Sequence, residues 1–199
     1  MSELKIPVYV VDDDESVRDS LIFMLESYDF KILPFEDGQL FIDQVDLTKP
    51  GCVVLDSRMP NLRGQEVHAL LNQRHSPLSV IFLTGHGDIP MAVDALKLGA
   101  VDFFQKPVIG EQLAVAIRKA IVRSLASFKQ QDNQKVLTSL TKRERDILQL
   151  IVNGKRNQQI ADELCVAVRT IEVHRSSLMK KFNAKTVADL VMTYAKTHI

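Results

Sequence analysis

Residues 8–13 read Val-Tyr-Val-Val-Asp-Asp, a short β-branched apolar run that ends in two carboxylates. Three later runs have the same build. Cys52-Val53-Val54-Leu55 precedes Asp56, Val80-Ile81-Phe82-Leu83 precedes Thr84, and Val101-Asp102-Phe103-Phe104-Gln105 precedes Lys106. Runs of this length, separated by helical stretches, are the pattern of parallel strands covered on both faces. In an open parallel sheet the carboxyl ends of the strands line one crevice, where ligands collect. The pattern therefore gathers three carboxylates, a hydroxyl and an ammonium at one edge. Such a set suits a divalent cation and a phosphoryl group.

Helical periodicity fills the intervals. Val17, Leu21, Met24, Leu25 and Tyr28 predict a helix over about 16–29. A strand at 31–34 precedes a helix at 36–44, and another helix covers 64–72. Ile89, Ala92, Val93 and Leu96 make one apolar face, closed by Gly99 as a left-handed cap. Leu113, Ile117, Ala120, Ile121 and Leu125 make a fifth helix. The fold class predicted is α/β, a doubly wound (βα)5 parallel-sheet domain over residues 1–123. Gly85-His86-Gly87 lacks the Gly-Lys-Ser/Thr of a phosphate loop and reads as a hinge.

Residues 124–137 are polar and Gln-rich, and read as a helix extension fading into a linker. Thr141 with Glu144 three residues on is a capping box that opens a second, all-α module of four helices over 138–199. Its first helix carries Ile147, Leu148, Ile151 and Val152 on one face and stops at Gly154. Asn157 is the expected cap of the next, a third runs from about Val168 to Phe182, and Thr186 opens the last.

The chain has 199 residues, with 25 basic and 25 acidic. That balance hides an asymmetry. Residues 1–124 carry 18 Asp and Glu against 12 Lys and Arg, a net of −6; residues 125–199 carry 7 against 13, a net of +6. The basic half suits a polyanion. No apolar stretch approaches the roughly 20 residues that span a bilayer. The opening Met-Ser-Glu-Leu-Lys runs straight into a strand, so a cytoplasmic location with no membrane partner is expected. Cys52 and Cys165 lie far apart and fit a reducing compartment without disulfides.

Three carboxylates within a few Å repel one another, and a cation relieves that repulsion. With oxygen donors only, the fitting ion is Mg²⁺. An Asp carboxylate beside it becomes a nucleophile towards phosphorus. Thr84 offers a hydrogen bond to a phosphoryl oxygen and Lys106 a compact positive charge.

The strings VYVVDDDESVRDSL, LDSRMP and FLTGHGDIPMAVDALKLGAVDFFQKP resemble the receiver domain of bacterial response regulators, the last string its FixJ-type branch. This resemblance implies Asp56 as phosphoacceptor. It also implies Asp12, Asp13 and the backbone carbonyl of Arg58 as further Mg²⁺ ligands. Thr84, Phe103 and Lys106 match the family's switch hydroxyl, rotating aromatic and lysine, and the Lys106-Pro107 bond a position that is usually cis. Ser57 departs from the pattern, since many relatives carry an apolar residue there. Asp12-x-Asp14-x-Ser16-Val17 also resembles the opening of haloacid-dehalogenase-type phosphatases. Those enzymes need an acidic pair after the lysine, where this chain has only Glu111 nearby, and they would leave Asp56 idle.

The segment LTKRERDILQLIVNGKRNQQIADELCVAVRTIEVHRSSLMKKF resembles the LuxR/NarL/FixJ-type helix-turn-helix domain. In its helix from Val168, Ile171 and Leu178 should face the core. Arg169, Thr170, Glu172, Val173, Arg175 and Ser176 are left for the major groove, where Arg reads guanine, Glu accepts from cytosine and methyl groups suit thymine. Lys155, Arg156, His174, Lys180 and Lys181 suit phosphates, which set affinity rather than sequence. Ala167 stands where the family usually has a capping Ser. The competing reading is a charged face on a protein-interaction bundle.

Together the resemblances imply a transcriptional response regulator, not an enzyme. Its partners would be a sensor histidine kinase, promoter double-stranded DNA, RNA polymerase and a second copy upon phosphorylation. RMP followed by GQ and VH, with VAVRTIEVHR, resembles regulators of tetrathionate or thiosulfate respiration within that family.

Overall fold

The computed structural model describes residues 5–85 and 89–197. His86 and Gly87 of the expected hinge lie outside the described residues. The chain divides into two compact units, Met1–Phe128 and Lys129–Ile199.

The first unit is a parallel sheet of five strands: β1 (Pro7–Val11), β2 (Lys31–Phe35), β3 (Cys52–Asp56), β4 (Ser79–Thr84) and β5 (Asp102–Gln105). Their order is β2-β1-β3-β4-β5. Helices α1 (Glu15–Glu26), α2 (Gly38–Gln44), α3 (Gly64–Gln73), α4 (Ile89–Lys97) and α5 (Gly110–Thr138) alternate with them. Alternation along the strands sorts the core into two layers. Val8, Val10, Cys52, Val54, Ile81 and Leu83 meet Leu21 and Leu25 of α1 and Leu113, Ile117 and Ala120 of α5. Tyr9, Val11, Val53, Leu55, Val80 and Phe82 meet Phe41 of α2, Val67 and Leu71 of α3, and Ala95 of α4. This is the doubly wound arrangement expected.

Three elements differ from the sequence reading. Helix α1 ends at Glu26, before the left-handed Asp29 at φ 68°. In α4, among the side chains described, Ala95 is buried, whereas Val93 and Leu96 are 44% and 45% exposed. The helix has more apolar residues than its sheet-facing side can cover. Helix α5 continues through the polar stretch to Thr138, because no Gly or Pro interrupts it after Gly110. Within the sheet layer it is pinned by Ser124, whose Oγ accepts the Gly51 amide at 2.8 Å in a buried setting.

The second unit packs α6 (Lys142–Val152), α7 (Asn157–Glu163), α8 (Val168–Lys181) and α9 (Val187–Thr197) around Leu140, Ile147, Leu148, Ile151, Ile160, Ile171, Leu178, Phe182 and Leu190. The all-α module with Ile171 and Leu178 inward is as expected. The turn into α8 places Cys165 at φ 51°. Asn157 is the first residue of α7 rather than its cap. Arg156 holds the cap position, its amide donating to Gln159 Oε1 at 2.9 Å. Ala167 offers no capping side chain to α8.

Glu144 does more than close the capping box of α6. The Thr141 amide donates to it at 3.0 Å, Ser177 Oγ at 3.0 Å and Lys181 Nζ at 2.7 Å, all onto a buried carboxylate. The Lys181 bond, with the Thr141 amide, holds its pKa down from 4.5 to about 2 despite burial. A depressed folded pKa gives stability that is present above pH 4.5 and lost as pH falls towards 2. Glu144→Ala should therefore destabilise the second unit by about 1–2 kcal/mol at neutral pH, since Lys181, left behind, can turn to solvent. Urea unfolding followed by circular dichroism should show that difference vanish at low pH.

Candidate functional site

The strand order reverses direction between β1 and β3, and a ligand crevice opens at such a switch point. Asp12 follows β1 and Asp56 ends β3; Val11 and Leu55, the residues before them, are paired in register. Helix α1 starts directly behind, capped by Asp14, whose Oδ1 accepts from the Ser16 amide at 2.9 Å. The carboxylate oxygens of Asp12, Asp13 and Asp56 all lie within 4.8 Å of one another. Asp12 and Asp56 are buried and Asp13 is exposed, so the cluster opens to solvent on one side.

Lys106 reaches into this cluster from the end of β5. Its Nζ donates to Asp12 Oδ2 at 2.5 Å and stands 2.8 Å from Asp56 Oδ1. The remaining oxygens face backbone amides: Asp14 N donates to Asp12 Oδ1 at 3.1 Å, and Arg58 N to Asp56 Oδ2 at 2.9 Å. Burial raises the Asp12 pKa above the ordinary carboxylate range; the Lys106 hydrogen bond and charge oppose the rise, and Asp56 adds to it. Burial also lowers Lys106, but its bonds to Asp12 and Asp56 outweigh that and keep the ammonium above its usual value. The donor set is all oxygen, with a negative charge excess that one lysine only partly offsets. It fits a hard divalent cation.

The other expected switch residues lie on β4 and β5. Thr84 ends β4, and its carbonyl accepts the Lys106 amide at 2.7 Å. Phe103 lies opposite Phe82 in register and packs partly buried on the α2–α4 layer. The Lys106-Pro107 peptide is cis. Two contributors were missed by sequence reasoning. Arg18 Nη1 donates to the Asp12 carbonyl at 2.8 Å, a contact that no residue type announces. At Gly64, the first residue of α3, an added Cβ would stand 2.2 Å from the Asp56 carbonyl oxygen, so the backbone there admits no side chain.

In the second unit α8 exposes Arg169, Thr170, Glu172, Val173, Ser176 and Lys180, while His174 and Arg175 are half-buried. Arg169 Nη1 and Glu172 Oε2 pair at 3.4 Å. Of the flanking basic residues, Arg156 is exposed, Lys155 pairs with Glu163 and Lys181 with Glu144. The exposed α8 face thus carries cation, acid, hydroxyl and methyl side by side, a surface suited to base edges.

The response regulator receiver domain matches residues 8–118, and the luxR family of bacterial regulatory proteins matches residues 138–194. The chain is a two-component response regulator. It is 41% identical over 189 residues to the tetrathionate response regulatory protein TtrR of Salmonella typhimurium, covering 95% of this chain and 92% of that one. Among solved structures, the response regulator StyR matches with a TM-score of 0.72 and 39% identity over 96% of this chain and 99% of that one. Full-length FixJ from B. japonicum matches with a TM-score of 0.60 and 38% identity, covering 98% of each chain. This regulator is accordingly of the NarL/FixJ kind, a DNA-binding transcriptional regulator rather than an enzyme. A sensor kinase and DNA are the partners its two domains imply. No helix among the described residues is long and apolar enough to cross a membrane.

Since Lys106 is the main influence opposing the rise of the Asp12 pKa, ahead of the Asp14 amide, Lys106→Met should push that pKa higher still. A carbon-13 carboxyl NMR titration without added metal should show the Asp12 midpoint move up. No movement would mean that burial alone sets it.

Proposed function

We propose that this regulator works in the cytoplasm, accepts a phosphoryl group on Asp56 from a sensor histidine kinase and then binds promoter DNA as a dimer. The observation that carries this reading is the single Lys106 ammonium within hydrogen-bond reach of both Asp12 and Asp56, in a cluster that also includes Asp13. In this reading Asp12, Asp13, Asp56 and the Arg58 carbonyl hold Mg²⁺. That ion, when bound, neutralises the carboxylates and shields the charge on a phosphoryl oxygen. Asp56 attacks phosphorus through a carboxylate oxygen, and the kinase histidine nitrogen leaves with the bonding pair. Lys106 pairs with one phosphoryl oxygen, Thr84 donates to another, and Phe103 follows Thr84.

Exposed Val93, Leu96 and Leu98 at the end of α4 supply an apolar surface on which two receivers would pair. The division proposed is a receiver at 1–123, a linker at 124–137 and a DNA-binding domain at 138–199. On DNA, Arg169, Thr170, Glu172, Val173, Arg175 and Ser176 would read bases. Lys155, Arg156, His174, Lys180 and Lys181 would meet phosphates, with Lys155 and Lys181 first leaving their acidic partners. RNA polymerase is the machinery such a dimer would act on. The similarity to TtrR supports tetrathionate or a related sulfur compound as the signal at the kinase.

Asp56→Asn should abolish labelling by acetyl phosphate with Mg²⁺, read by intact mass; persistent labelling would reject Asp56 as acceptor. Arg169→Ala should lose roughly tenfold or more in specific binding while non-specific binding changes little. Equal loss on both kinds of DNA, measured by fluorescence anisotropy, would place Arg169 on phosphate.

A further inference from the structure

Ser57 follows Asp56 directly, and its side chain is not idle. Its amide donates to the Leu83 carbonyl at 2.9 Å, carrying the β3–β4 ladder one step past Asp56. Its hydroxyl donates to Thr84 Oγ1 at 3.0 Å. Both residues are only 1% exposed. Strand alternation explains the pairing. Leu55 and Phe82 point to the α2–α4 layer, so Ser57 and Thr84, two residues further along each strand, share that side. Phe103 packs on the same layer. The resting Thr84 hydroxyl is therefore engaged by the residue next to the proposed acceptor, on the side of the sheet where Phe103 packs.

We infer that Ser57 is a positioning residue, a latch that holds Thr84 in its resting orientation and sets the threshold for switching. The inference rests on the reading of Asp56 as phosphoacceptor. When Thr84 swings to a phosphoryl oxygen, the Ser57 hydroxyl, on a side chain only 1% exposed, loses that acceptor. A buried donor stripped of its partner disfavours the state that strips it. The active state is disfavoured by that amount, and a chain with an apolar residue at position 57 would not be.

The test is binding of beryllofluoride with Mg²⁺, a phosphoryl mimic, followed by fluorine-19 NMR with the melting temperature recorded alongside. Ser57→Ala should bind the mimic about three- to tenfold more tightly, a shift on the scale of one hydrogen bond. Ser57→Cys, with a weaker donor, should fall between it and the wild type. In a Thr84→Ala background the Ser57→Ala effect should disappear, which a general packing effect would not do. Unchanged or weaker binding by Ser57→Ala, or an equal gain without the Thr84 hydroxyl, would overturn the latch alone. Failure of the wild-type chain to bind the mimic would instead overturn the phosphoacceptor reading, and the latch with it.

Discussion

Three carboxylates converge where β1 and β3 end, and one ammonium holds two of them together. Like charges at that spacing oppose folding unless something compensates them. Lys106 does so by reaching over from β5, the edge strand, which makes the outermost strand a condition of the central ones. The sheet order and the amides of Asp14 and Arg58 serve the same balance. One ammonium against three carboxylates leaves that edge negative, and the Asp56 charge adds to the rise that burial imposes on the Asp12 pKa. An edge that stays short of positive charge is an edge prepared for a cation.

Much of the receiver was legible in the sequence because each functional side chain ends a strand. Strand composition fixes where Asp56, Thr84 and Lys106 fall, and parallel topology brings those ends to one side. The buried side of α8 was legible for a related reason: Ile171 and Leu178 lie seven residues apart, whereas the half-burial of His174 and Arg175 has no such local mark. Contacts that depend on a neighbouring strand were not legible. Nothing local to Ser57 says that Thr84 will stand 3.0 Å away. Nor does any local signal send Arg18 to the Asp12 carbonyl.

Two misreadings share a cause. The polar stretch after Arg123 was read as fading because its apolar rhythm fades, yet helix persistence there needs only good formers and no breaker. Helix α4 was given an apolar face that includes Val93 and Leu96, and periodicity cannot tell a face turned to the sheet from one left open. Glu144 had a usable signal that went unread. It lies three and four residues before Ile147 and Leu148, on the buried side of α6, where a carboxylate needs partners.

The buried bond between Ser124 and Gly51 ties the long fifth helix to the far end of the strand that carries Asp56. A polar peg in an apolar layer tolerates tilting but not sliding. Advancing α5 by a single residue would rotate Ser124 by about 100° and strand the Gly51 amide in the core. One buried hydroxyl thus fixes the axial register of α5 on the sheet.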